Sequence, residues 1–66
     1  MYKIKKVGII NFGFGKNKEI CEKIGISQTS LSRILNGYAT TKYTTAYCIV
    51  KAYNPNKEVL DFFDKK

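Results

Sequence analysis

The stretch NKEICEKIGISQTSLSRILNG, residues 17–37, carries two apolar stripes with a glycine between them. In its first half Ile20, Cys21 and Ile24 recur at helical spacing while Lys18, Glu19, Glu22 and Lys23 take the opposite face, the pattern of an amphipathic helix. Gly25 stops that helix and Ile26 follows. Ser27, an N-cap residue type, then stands before QTSLSRILN, in which Leu31, Ile34 and Leu35 form the second stripe. A second helix therefore restarts after a three-residue turn. Where two such helices cross, the first needs a small side chain, and the turn needs a residue that accepts positive φ. Cys21 and Gly25 meet those demands four residues apart.

With Ile20, Ile24, Ile26, Leu31 and Ile34 assigned to a shared apolar underside, Ser27, Gln28, Thr29, Ser32 and Arg33 face outward. Each of these can hydrogen-bond, and none is acidic. Glutamine grips adenine through two bonds and arginine does the same with guanine, while serine and threonine reach base edges or phosphates. Gln28, Thr29, Ser32 and Arg33 are thus candidates for reading bases in a major groove. The alternative is a solvated face of two packed helices, since many bundles that bind nothing share this periodicity. An ordinary solvent-facing helix favours Glu, Lys and Ala over SQTS, so helix propensity has been given up here for another purpose.

Sixty-six residues make a single domain, 1–66, close to the lower limit for a core without disulfide or metal staples. Hydrophobic residues at 44% supply that core. The two cysteines, Cys21 and Cys48, stand apart in helix-like apolar patterns and there is no histidine. A four-ligand zinc site lacks its ligands, and both thiols are expected to be small, reduced core residues. No apolar run approaches the roughly 20 residues that span a bilayer. No secretory leader is legible either, so the expected location is cytoplasmic. The formal charge is +7, and no acid occurs between Lys23 and Lys57, a span that holds Arg33, Lys42 and Lys51. Solubility alone would not gather the acids at the flanks of one continuous stretch, and a polyanion is the natural partner.

Elsewhere the punctuation gives three more elements. Ile4, Val7, Ile10 and Phe14 fall near helical spacing, although Tyr2, Ile4 and Lys6 alternate as a strand would. The expectation is a short first helix that stops near Phe12, with Phe12 and Phe14 fastening it to the core. Asn36 and Gly37 close the helix that starts at Ser27, and YATTK forms a loop. YTTAYCIVKAY then places Ala46, Ile49, Val50 and Tyr53 on one face of a fourth helix. Asn54 and Pro55 stop it and restart the chain, with proline at a first helical position, and a last short helix runs from Pro55 to about Asp64. The expected fold is all-α, a compact domain of five helices with its functional unit at residues 17–36.

NKEICEKIGISQTSLSRILNG also resembles the helix-turn-helix of Cro and lambda-repressor-like (XRE-type) DNA-binding proteins, in its Gly-Ile-Ser turn, its Gln-x-x-hydroxyl second helix and its terminal Asn-Gly. More loosely, the whole chain is similar to short phage Cro proteins. The resemblance implies that Gln28, Thr29, Ser32 and Arg33 read bases or adjacent phosphates of double-stranded DNA and that Ser27 caps the recognition helix. It implies a phosphate contact from Asn17, where the family often has glutamine. Tyr38, Thr40, Thr41, Lys42 and Tyr43 occupy a loop that often touches the DNA backbone, and Lys18, Ser27 and Ser30 complete the expected phosphate set. Lys16 departs from the usual Ser or Thr cap and adds a phosphate-directed charge, while Cys21 replaces a common alanine.

INFGFGK, residues 10–16, also invites an RNA-stacking or a phosphate-loop reading. Stacking aromatics need a strand with a second aromatic strand beside it, and a P-loop needs Ser or Thr after its lysine. Here Gly15 and Lys16 are followed by Asn17 and a helical pattern. No catalytic set can be assembled and no cofactor is called for. Val59, Leu60, Phe62 and Phe63 wrap more than one face of the last helix, so helix 55–64 is expected to bury part of that area in a homodimer, formed free or only on DNA, over a near-palindromic operator. The alternative places the terminal helix in its own core. The expected function is a Cro-like repressor of a phage or mobile element. Its rival is a small interaction module, antitoxin- or antirepressor-like, whose basic surface meets an acidic partner.

Overall fold

The computed structural model describes residues 1–13 and 15–66. Its elements run in the order β1 (Tyr2–Ile4), α1 (Asn17–Ile24), α2 (Gln28–Leu35), α3 (Tyr43–Tyr53), α4 (Val59–Phe62) and β2 (Phe63–Lys65). The described residues thus form four helices and a small antiparallel pair of strands rather than five helices. The core gathers Ile4, Ile20, Leu31, Ile49, Val50 and Phe63 with six further buried side chains, drawing on every helix and on both strands.

The N-terminal segment takes the strand alternative. Tyr2 pairs with Lys65 and Ile4 with Phe63. On its other side β1 meets the loop before α3, where Tyr2 N–H donates to the Thr41 carbonyl at 2.7 Å and Thr41 N–H donates back at 2.8 Å. A helix through this region would need right-handed backbone at Gly8, whose φ is +84°. The chain instead turns there, with Ile9 N–H donating to the Lys6 carbonyl at 3.2 Å. Phe12 does fasten the segment, meeting Tyr53 edge-on with ring centroids 5.7 Å apart. Phe14 lies outside the described residues.

The other end differs from expectation for a related reason. Asn54 does not open a helix at Pro55. Its Oδ1 accepts from Asn56 N–H at 3.1 Å and holds a turn, and Lys51 Nζ donates to the Pro55 and Lys57 carbonyls at 3.3 and 2.8 Å. α4 begins only at Val59, where Glu58 N–H donates to Asp61 Oδ2 at 2.8 Å. The helix ends at Phe62 and the chain becomes extended at Phe63, with φ −126° and ψ 148°. That switch from helical to strand geometry lets two consecutive phenylalanines point inward. It explains why Val59, Phe62 and Phe63 look like an apolar surplus when the segment is read as one helix. All three are buried within the single chain, and of the four residues assigned to a dimer contact only Leu60, 60% exposed, is at the surface.

α3 follows its pattern at Ala46, Ile49 and Val50, which are fully buried, whereas Tyr53 at its end is 39% exposed, its ring meeting Phe12 and Phe62 edge-on. Of the two thiols, Cys21 is a core residue as expected and Cys48 is not. Cys48 lies on the exposed flank of α3, one position ahead of Ile49, whose side chain takes the inward direction.

Candidate nucleic-acid interface

The turn between α1 and α2 is built from backbone. Gly25 adopts φ 88° and ψ 30°, a left-handed conformation that side chains with a Cβ resist. In it, Gly25 N–H donates to the Cys21 carbonyl at 2.7 Å and Ile26 N–H donates to the same oxygen at 3.1 Å. The end of α1 is satisfied and the chain is turned toward α2. Burial pushes the Cys21 thiol above its ordinary pKa, and the neighbouring Glu22 carboxylate adds to the rise.

Ser27 starts α2 as the sequence predicts. It is extended, its Oγ accepts from Ser30 N–H at 3.1 Å, and its hydroxyl donates to Ser30 Oγ at 2.9 Å. The other end is closed by Asn36 N–H to the Ser32 carbonyl at 2.9 Å and Tyr38 N–H to the Arg33 carbonyl at 2.8 Å. Between these caps Leu31, 1% exposed, and Ile34 seal the underside against the core, while Ile24, Ile26 and Leu35 are partly buried beside them. Gln28, Thr29, Ser32 and Arg33 are all exposed. Gln28 and Ser32 share one row of the helix and Thr29 and Arg33 the next, by their i, i+4 spacing. The two ion pairs among the described residues, Lys5–Asp64 and Lys51–Glu58, leave the Arg33 guanidinium without an acidic partner.

Three clefts border this helix and show what the fold brings to it. One joins Arg33 and Ser30 to Thr40, Thr41 and Thr45 near the start of α3. A second joins Ser32 and Asn36 to Asn17 at the start of α1. A third sets Gln28 and Ser27 beside Lys18 and Glu22. The expected phosphate-facing residues Lys16, Asn17, Lys18, Ser27, Ser30, Thr40, Lys42 and Tyr43 are exposed, and Tyr38 is 77% exposed. Thr41 is the correction. At 7% exposure it is buried, because its backbone is paired to Tyr2 and that bridge draws the residue inward. Among the described residues no side chain caps α1, where Lys16 stands at the N-cap position and Glu19 places an acid in the first turn.

Two members of this surface escaped the reading of the sequence. Asn36 Nδ2 donates to Ser32 Oγ at 3.2 Å and orients that hydroxyl, a contact that the i, i+4 spacing of the two residues signals. Thr45 lies in the Arg33 cleft. Glu22 places one carboxylate beside Gln28, so the acid-free character of α2 does not extend to all of its neighbourhood.

Two helices crossing over a left-handed glycine turn, with a polar exposed second helix over a sealed underside, define a helix-turn-helix domain. A family model described as helix-turn-helix matches residues 15–57, and the chain belongs to that family, whose members of the XRE type include the Cro and lambda-repressor-like proteins. This is a family of DNA-binding transcription regulators, which acts on double-stranded DNA and is not characteristically enzymatic. Searches of curated proteins and of solved structures returned no significant match. Among the described residues no helix is long and apolar enough to cross a membrane.

Proposed function

We propose that this chain is a sequence-specific transcriptional repressor of the Cro-like kind, from a phage or mobile element, that blocks a promoter by occupying an operator. α2 enters the major groove, where Gln28, Thr29, Ser32 and Arg33 read base edges. Lys16, Asn17, Lys18, Ser27, Ser30, Tyr38, Thr40, Lys42 and Tyr43 position the domain on phosphates. The observation that carries this reading is the face of α2 itself, where four exposed hydrogen-bonding side chains, one of them an arginine with no acidic partner, stand over a sealed apolar side. Phosphate contacts fix register while base contacts set sequence, and the +7 charge supplies the first kind.

Two copies related by a two-fold axis would present two recognition helices about 34 Å apart and select a near-palindromic site. Of Val59, Leu60, Phe62 and Phe63, Leu60 is the one exposed residue that such a contact would use, and one residue supports a weak contact that DNA binding completes. Selection of bound duplexes from random DNA, followed by sedimentation of the protein with and without the selected duplex, tests both parts. An enriched site with two-fold symmetry is expected. Arg33→Ala or Gln28→Ala should weaken binding to that site by about 1–3 kcal/mol and relax preference at one base pair. Binding without any enriched sequence would overturn the repressor reading and favour a module for an acidic protein partner.

A further inference from the structure

The segment where a first helix was expected contains a basic turn that the base-reading helix does not account for. Lys6, Val7, Gly8 and Ile9 form that turn, closed by the 3.2 Å bond from Ile9 N–H to the Lys6 carbonyl and by the left-handed Gly8. The two central residues, Val7 and Gly8, are projected to its tip, and Val7 is 61% exposed. The turn and its flanks carry Lys3, Lys5 and Lys6, with Asp64 on the neighbouring strand opposite Lys3 as the acid beside them. Lys5 lies 3.9 Å from Asp64 with both side chains largely in solvent, a pairing worth little, and Lys6 has no acidic partner among the described residues.

The position of this turn is what gives it meaning. Val7 and Gly8 line the same cleft, about 260 Å³, as Asn17, Ser32 and Asn36. A Cβ at Gly37, just past the end of α2, would lie 3.7 Å from Ile4 Cγ2 and 3.9 Å from both Lys3 Cε and Val7 Cγ2. The turn therefore stands beside the C-terminal end of the Gln28–Ser32–Asn36 row. A recognition helix of this kind meets base edges with its N-terminal residues. The operator reading places Tyr38 and Thr40, just past its far end and in one cleft with Lys3, on phosphates, so a turn beside that end lies toward the sugar-phosphate border of the groove.

We propose that the turn Lys6–Ile9 is a second DNA-contacting element, a short wing that grips the phosphates flanking the base-read site through Lys6 while Val7 rests on the sugars between them. This rests on the operator reading above and adds a contact that a domain with a helix in this place would lack. The wing enlarges the footprint and the salt-dependent part of affinity without adding base preference, because phosphate contacts carry no sequence.

The test compares wild type, Lys6→Ala, Lys6→Arg and Arg33→Ala on the duplex that wild type selects from random DNA. Lys6 is exposed, so thermal unfolding of each variant should match wild type. Lys6→Ala should reduce the slope of log K against log salt by ~0.9 for each bound copy and remove hydroxyl-radical protection at the outer flank of each half-site, leaving the preferred bases unchanged. Lys6→Arg should restore both. If Lys6→Ala keeps the wild-type slope and footprint while Arg33→Ala loses base preference, the wing is refuted and the operator reading stands. If wild type selects no sequence at all, the operator reading fails and the wing falls with it.

Discussion

Replacing Gly25 by alanine isolates the backbone conformation on which the arrangement of α1 and α2 depends. At φ 88° the residue is left-handed, and a Cβ built there meets nothing within 4 Å. Steric collision with the rest of the fold therefore contributes nothing, and the whole effect is conformational. Placing an L-residue with a Cβ in this region costs about 1–2 kcal/mol. Alanine also narrows the unfolded ensemble, which offsets about 0.4–1 kcal/mol of that cost. The net loss is about 0–1.6 kcal/mol, and in a chain of 66 residues each 1 kcal/mol lost lowers Tm by ~4–8 °C. Asparagine tolerates the left-handed region better than alanine, so Gly25→Asn should fall between alanine and wild type. The assay is thermal unfolding followed by far-UV circular dichroism, with a urea titration to confirm that the m-value is unchanged. A Gly25→Ala protein more stable than wild type would show that the turn is not left-handed in solution. A loss beyond about 4 kcal/mol would show that the new methyl strikes something, which contradicts the open space around it.

Other substitutions probe separate parts of the molecule. Leu31→Ala removes a nearly inaccessible side chain between α2 and the core and should cost about 2–5 kcal/mol, read from the urea midpoint. Glu22→Gln removes the carboxylate beside Gln28, and relief of repulsion from DNA phosphates should raise affinity by no more than ~5-fold at low salt, a gain that fades as salt is added. Because the Cys21 thiol is raised in the folded protein, the folded state holds that proton more tightly than the unfolded chain. The corresponding stability is fully present below the ordinary thiol value of ~8.5 and is lost as pH climbs through the folded value. Cys21→Ala should therefore show a shallower alkaline fall in urea midpoint than wild type.

The central unit was open to reading because its information is local. Helical spacing of Ile20, Ile24, Leu31 and Ile34, a glycine able to turn left-handed and a serine able to cap are properties of neighbouring residues. The structure places all of them as that spacing predicts, with Gln28, Thr29, Ser32 and Arg33 outward. The two chain ends were not settled locally. Ile4, Val7 and Ile10 satisfy helical spacing, but only the pairing of Tyr2 with both Thr41 and Lys65 selects the strand. Those partners lie 39 and 63 residues away in the chain. Likewise Val59, Phe62 and Phe63 suggest an overcrowded helix until β1 supplies the partner that draws Phe63 into extended geometry.

The same division governs the surface. The sequence by itself determined the helix-turn-helix, its sealed underside and the chemistry of the exposed face of α2, because periodicity and caps act over one or two turns. Only the tertiary structure decided that Thr41 turns inward, that Cys48 stays in solvent, and that a lysine-bearing turn stands beside Asn36. Each of these follows from backbone hydrogen bonds or core contacts between segments far apart in the chain, and the free energy of such pairings depends on which partner arrives, not on the residues of either segment alone.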